Sequence, residues 1–148
     1  INNGIIVKGI DNCLVKLSRC CNPLPGDEIV GFVSRGRGVT VHRKDCPNMK
    51  SEKDRLLSAE WTGKTGQEGY TASLRINAKE DVMILSELTN SCKKNNLFIL
   101  TANSRIDNKN HVSIVDVTLK ISKKEDLDNL IRELKSSENI LDVFRFTN

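Results

Sequence analysis

From Tyr70 to Phe146 the apolar residues repeatedly change their period, and few folds accommodate that succession. Tyr70–Ala78 (YTASLRINA) alternates with a period of two, the mark of a half-buried strand. Val82–Lys94 then sets Leu85, Leu88 and Cys92 at helical spacing. Phe98–Arg105 reads as a strand, Asn108-Lys109-Asn110 as a turn, and His111–Ile121 (HVSIVDVTLKI) as a second strong strand. Ser122, with Glu125 three residues on, predicts a capping box. The helix it opens runs to about Lys135, with Leu127, Leu130, Ile131 and Leu134 on one face. Ile140–Phe146 closes the series as a strand. The order β-α-β-β-α-β is the split-βαβ, ferredoxin-like arrangement, which by itself names no function.

The residues before this stretch follow another pattern. Ile5-Ile6-Val7 and Leu14-Val15-Lys16-Leu17 are short apolar stretches. Glu28–Ser34 and Val39–His42 read as two strands joined at Arg35-Gly36-Arg37-Gly38, a hairpin turn. Pro23, Pro25 and Gly26 turn the chain just ahead of them. Cys46-Pro47-Asn48 is read as the opening of a short helix, and Leu56–Trp61 as a closing strand. Thr62–Gly69 (TGKTGQEG) has the composition of a flexible linker. The expected organisation is α+β: a small β-rich domain over 1–62, a linker over 63–69, and a second domain over 70–148.

With 148 residues, 38% hydrophobic and 28% charged, the chain fits one ordinary domain or two small ones and is not disordered. No apolar run is long enough to cross a bilayer, so no membrane association is expected. The chain opens on Ile1 without a signal peptide, which reads as a piece cut from a longer cytoplasmic protein. A net charge of +4 permits nucleic-acid contact without demanding it.

The five cysteines are Cys13, Cys20, Cys21, Cys46 and Cys92. An odd, uneven set points to thiols or metal ligands rather than a disulfide framework. Cys20, Cys21, His42 and Cys46 supply the four thiolate and imidazole donors that zinc prefers in a tetrahedron. His42 and Cys46 are four apart and can face one point. Adjacent Cys20 and Cys21 diverge on a regular strand, so both can bind only at an irregular bend. A buried thiol cluster and a redox-sensitive pair remain open alternatives. A Cys/His catalytic pair lacks any partner to complete it. Through residue 62 there are ten Lys/Arg against seven Asp/Glu. Lys16, Arg19, Arg35, Arg37, Arg43 and Lys44 lie near the cysteines. Arg35 and Arg37 at a hairpin tip suit phosphate contact, against the alternative of a solvated surface.

The run KLSRCCNPLPGDEIVGFVSRGRGVTVHRKDCPN resembles the conserved-cysteine, or zinc-finger, domain of long RelA/SpoT-type stringent-response proteins. The β-α-β-β-α-β stretch after it resembles their C-terminal ACT domain. The resemblance implies a regulatory end of a (p)ppGpp synthetase/hydrolase whose catalytic domains lie N-terminal. This chain alone is then no enzyme; it also lacks an HD-type metal motif and a nucleotide-binding loop. The resemblance further implies zinc at Cys20, Cys21, His42 and Cys46, with Asp45 as the motif aspartate. Arg35, Arg37, Arg43 and Lys44 would face large-subunit ribosomal RNA. Self-association, as a homodimer, and restraint of the catalytic half are implied too. Cys13 falls outside the motif as a strand residue, and Cys92 as helix core. Many ACT domains bind an amino acid at a Gly-containing turn. Here that place reads Ala78-Lys79-Glu80-Asp81-Val82-Met83-Ile84-Leu85 without glycine, so such a ligand is not favoured. The strand His111–Ile121 has no aromatic where an RNA-stacking sheet would carry one.

Overall fold

Two sheets organise the chain, each in its own unit: Ile1–Glu68 with Thr147–Asn148, and Gly69–Phe146. The structure is a computed structural model and describes residues 5–8, 14–34, 38–48, 56–61 and 70–147. Cys13, the linker over 63–69, and Arg35 and Arg37 lie outside the described residues.

The first unit holds five strands: β1 (Ile5–Val7), β2 (Val15–Leu17), β3 (Ile29–Ser34), β4 (Gly38–Arg43) and β5 (Leu56–Trp61). Their order is β1-β5-β3-β4-β2. β3 and β4 form the expected antiparallel pair, from Ile29 opposite Arg43 to Ser34 opposite Gly38. Alternation along β4 sends Val39 and Val41 into a core with Ile5, Val7, Val15, Ile29 and Ala59. His42, between them and the strand end, therefore points to the other face.

The parallel pairing of β2 with β4 was not apparent in a three-residue strand. It explains why β4 begins at Gly38, one residue before the expected Val39. Gly38 has φ +86°, and a Cβ there would sit 2.2 Å from the Leu14 carbonyl oxygen. That oxygen accepts the Val39 N–H at 2.8 Å, so only glycine lets β2 come this close.

The short helix expected from Cys46 does not start within the described residues. The chain turns instead, with Cys46 N–H donating to the Arg43 carbonyl at 3.1 Å, and stays in turn geometry through Asn48. Residues 49–55 lie outside the described ones.

The second unit is the ferredoxin-like fold: β6 (Tyr70–Lys79), α1 (Leu85–Lys94), β7 (Phe98–Asp107), β8 (Val112–Ile121), α2 (Lys124–Lys135) and β9 (Ile140–Arg145). The sheet order is β7-β8-β6-β9, every pair antiparallel. Ala72, Leu74, Ile76 and Ala78 of β6 are buried, as are Leu127, Leu130 and Leu134 of α2. On the opposite sheet face, Arg75 makes a two-pronged ion pair with Asp116 at 2.8 and 3.0 Å. Its guanidinium lies 4.5 Å from the Phe146 ring centroid.

Two local expectations fail. α1 starts at Leu85 rather than Val82, because a turn closes from Val82 N–H to the Lys79 carbonyl. Its buried face is Ile84, Leu88 and Cys92, and Leu85 is exposed. In α2 the N-cap is Lys123, not Ser122, and no side chain caps it. Glu125 then falls one position short of the capping-box site, where its charge still favours the helix N-terminus.

Candidate metal centre

Four side chains from two segments converge in the first unit. Cys20 and Cys21 lie on the turn that follows β2; His42 is the penultimate residue of β4, and Cys46 follows its exit turn. Their ligand atoms all lie within 4.8 Å of one another. Cys20 Sγ is 3.4 Å from both His42 Nδ1 and Cys46 Sγ, and Cys21 Sγ is 3.8 Å from His42 Nδ1. Zinc–sulfur bonds of about 2.3 Å in a tetrahedron set sulfur atoms about 3.8 Å apart, so the donor set has the right chemistry and nearly the right span. Among the described residues this is the one such cluster.

The turn resolves the difficulty of adjacent cysteines. Asn22, at φ +45°, closes it by donating its N–H to the Ser18 carbonyl at 3.1 Å. Ser18 is itself anchored, its N–H donating to the Val41 carbonyl at 2.9 Å. The bend turns both sulfurs toward His42. Cys21 and Cys46 are buried, and Cys20 is half-buried. Arg43 N–H donates to Cys21 Sγ at 3.3 Å, which offsets charge on a buried sulfur.

Burial is the largest single influence on Cys20, Cys21 and His42. Burial pushes the Cys21 thiol up to about 11 and holds the His42 imidazole below its ordinary value. Burial also works to raise Cys20. Hydrogen bonds from Ser18, Cys46, Asn48 and Cys21 outweigh it and bring that thiol below its ordinary value. A divalent cation would favour deprotonation of all three thiols.

Of the four basic residues expected to face phosphate, Arg43 and Lys44 are described, and they lie on the segment between His42 and Cys46. Arg43 ends β4, with its Nε 3.6 Å from an Asp45 carboxylate oxygen, and Asp45 is otherwise exposed. Lys44 is exposed and borders a cleft of about 710 Å³ with Glu28, Glu60 and Trp61. Asp45 is no part of the four-donor set. Sequence reasoning missed Ser18, whose side chain bonds the Cys20 sulfur; its signal is a hydroxyl two residues ahead of the cysteine pair. In the second unit, the turn after β6 exposes Met83 at 83%, and Glu80 is engaged by His111 at 3.1 Å.

Comparison with known proteins places this architecture. A family model described as the RelA/SpoT RIS domain matches residues 5–62, and one described as the ACT domain matches 66–145. The chain belongs to the ACT-domain family, with a RelA/SpoT RIS domain ahead of it. It is similar to the regulatory C-terminal region of RelA/SpoT-type GTP pyrophosphokinases, and neither matched domain is catalytic. The GTP pyrophosphokinase of Photobacterium angustum is 38% identical over 95% of this chain, which spans 19% of that protein. That of Streptomyces coelicolor is 34% identical over 97% of the chain and 17% of the protein. That of Escherichia coli K12 is 31% identical over 97% and 20%. The chain thus spans about a fifth of these relatives. Among solved structures, the ACT domain from the Chlorobium tepidum GTP pyrophosphokinase aligns at 15% identity and TM-score 0.45, covering 53% of this chain and 99% of that one. No helix of the described residues is long and apolar enough to cross a membrane.

Proposed function

We propose that this chain is the C-terminal regulatory segment of a cytoplasmic (p)ppGpp synthetase/hydrolase of the stringent response. In this reading Cys20, Cys21, His42 and Cys46 hold one zinc ion. The ion supplies a cross-link between the β2 and β4 ends in a unit with a small apolar core. Arg35, Arg37, Arg43 and Lys44 contact large-subunit ribosomal RNA, and the segment controls N-terminal catalytic domains. The observation that carries the reading is the convergence of the four donors beside Arg43 and Lys44. The names of the relatives and the share of them that this chain spans support the rest.

Two measurements test it. Metal analysis of the purified chain is expected to find about one zinc per chain, lost in Cys46→Ser. A folded, metal-free protein overturns the zinc assignment. Ribosome affinity is expected to fall roughly 50- to 150-fold between 50 and 200 mM salt if four cations meet phosphates. Reversing all four to Glu should flatten that dependence, and an unchanged slope removes the RNA assignment.

A second reading concerns self-association, and β7 favours it. This edge strand is ten residues long, contains no proline, and exposes Phe98, Leu100 and Ile106. Among the described residues no strand pairs with its outer edge, which can receive a second copy of the chain. An amino-acid ligand at Ala78–Leu85 is not part of either reading.

A further inference from the structure

The three cysteine donors differ in how their sulfurs are held, and one outer contact stands apart. Ser18 is only 8% exposed, although its side chain is polar. Its Oγ lies 2.8 Å from Cys20 Sγ and also accepts the Cys20 backbone N–H at 3.3 Å. Since the oxygen accepts from that amide, its own proton is free to go to the sulfur. A buried hydroxyl is retained at little cost only where it is bonded, and here its bonds are to Cys20.

Ser18 also holds the frame in which Cys20 sits. Its N–H is bonded to Val41, the residue before His42, and its carbonyl receives Asn22 N–H beyond the cysteine pair. One residue therefore ties together the end of β2, the end of β4 and the bend that brings adjacent cysteines to one point. Cys21 is held by burial, at 2% exposure, together with the Arg43 backbone N–H, and Cys46 is buried at 4%. Cys20 is the more open of the three and depends most on a directed bond.

We propose that Ser18 is a positioning residue of the metal centre: its hydroxyl donates to Cys20 Sγ, sets that side chain toward the other donors, and caps the charge of the thiolate. The proposal rests on the metal reading above and assigns a role to a side chain that is not itself a ligand. Outer partners of this kind alter metal affinity about 10- to 100-fold when removed. A hydroxyl bonded to a thiolate also stabilises the sulfur lone pairs, so its loss has an electronic signature.

The test uses this chain, its Ser18→Ala variant and its Ser18→Thr variant. Zinc affinity is measured by chelator competition, and each protein is also loaded with cobalt(II) to read the thiolate-to-metal charge-transfer band. Ser18→Ala is expected to bind zinc about 10- to 100-fold more weakly, with the band moved to longer wavelength. Ser18→Thr keeps the hydroxyl and is expected to restore both. If the unaltered chain takes up no metal, the metal reading itself falls. If it does, and Ser18→Ala matches it in affinity and band position, the role of Ser18 alone falls. Equal weakening in Ser18→Ala and Ser18→Thr also overturns the proposal, because packing rather than the hydroxyl would then be responsible.

Discussion

Asp27 shows how a motif residue can serve the backbone instead of chemistry. It is the aspartate of the Pro-Gly-Asp run, and it is 9% exposed. Its carboxylate accepts Leu24 N–H at 2.7 Å, its own N–H returns to the Leu24 carbonyl at 2.9 Å, and its carbonyl accepts Trp61 Nε1–H at 3.0 Å. Asp27→Ala leaves a buried amide without its acceptor, and urea unfolding is expected to show a loss of about 1–3 kcal/mol in the first unit. Cys92 makes a different case. Burial on α1 pushes its thiol up to about 11, so the folded protein prefers the neutral form. The stability this confers is complete below the ordinary thiol range and is lost as pH rises through about 11. Between pH 8 and 10.5 the protein should lose about 2 kcal/mol more than Cys92→Ala does. Equal losses in the two proteins would show that Cys92 has no part in the alkaline limb. The spacing marks Cys92 as helix core, whereas a hydroxyl two residues ahead of the cysteine pair does not by itself place Ser18 against the Cys20 sulfur. That contact depends on a bend made by Asn22 at positive φ, which is a property of the turn and not of the residue types alone.

At the level of elements, legibility followed length. β6 and β8, ten residues each, announce themselves by alternation, and β5 begins and ends where its apolar pattern does. β2 has three residues, and its parallel pairing rests on the glycine at 38 admitting the Leu14 carbonyl, a contact invisible to periodicity. The start of α1 is hidden from periodicity for a related reason. The apolar run from Val82 continues into α1, yet a turn consumes its first residues before helical bonding begins. β7 was legible as a strand, but its exposure was not. Most of its residues are open to solvent on both faces, because the two helices leave it largely uncovered. Replacing Leu100 and Ile106 together by Lys should therefore change monomer stability by less than about 1 kcal/mol. In the self-association reading the same pair should abolish dimers in light scattering across a concentration series. Dimers that persist unchanged would direct attention away from this edge.

Each unit owns a core, and this sets what can be uncoupled in the whole molecule. In the first, the apolar cluster is small, and three of its four strand pairings extend over only three residues. A bound ion at Cys20, Cys21, His42 and Cys46 would stabilise this unit by about 4 kcal/mol at a thousand-fold excess over its dissociation constant. For a unit of this size, each kcal/mol moves the midpoint by about 4–8 °C. A strong chelator should then lower one calorimetric transition by at least about 10 °C and leave the other in place. The reverse experiment places the damage in the second unit. Leu130 is fully buried on α2, and Leu130→Ala should cost about 2–5 kcal/mol there through lost burial and the cavity it leaves. Zinc content and the chelator-sensitive transition should be unchanged in that variant. A single transition that responds to both the chelator and Leu130→Ala would mean that the two cores melt as one cooperative body. The metal would then act on the ACT fold as well as on the domain that carries its ligands.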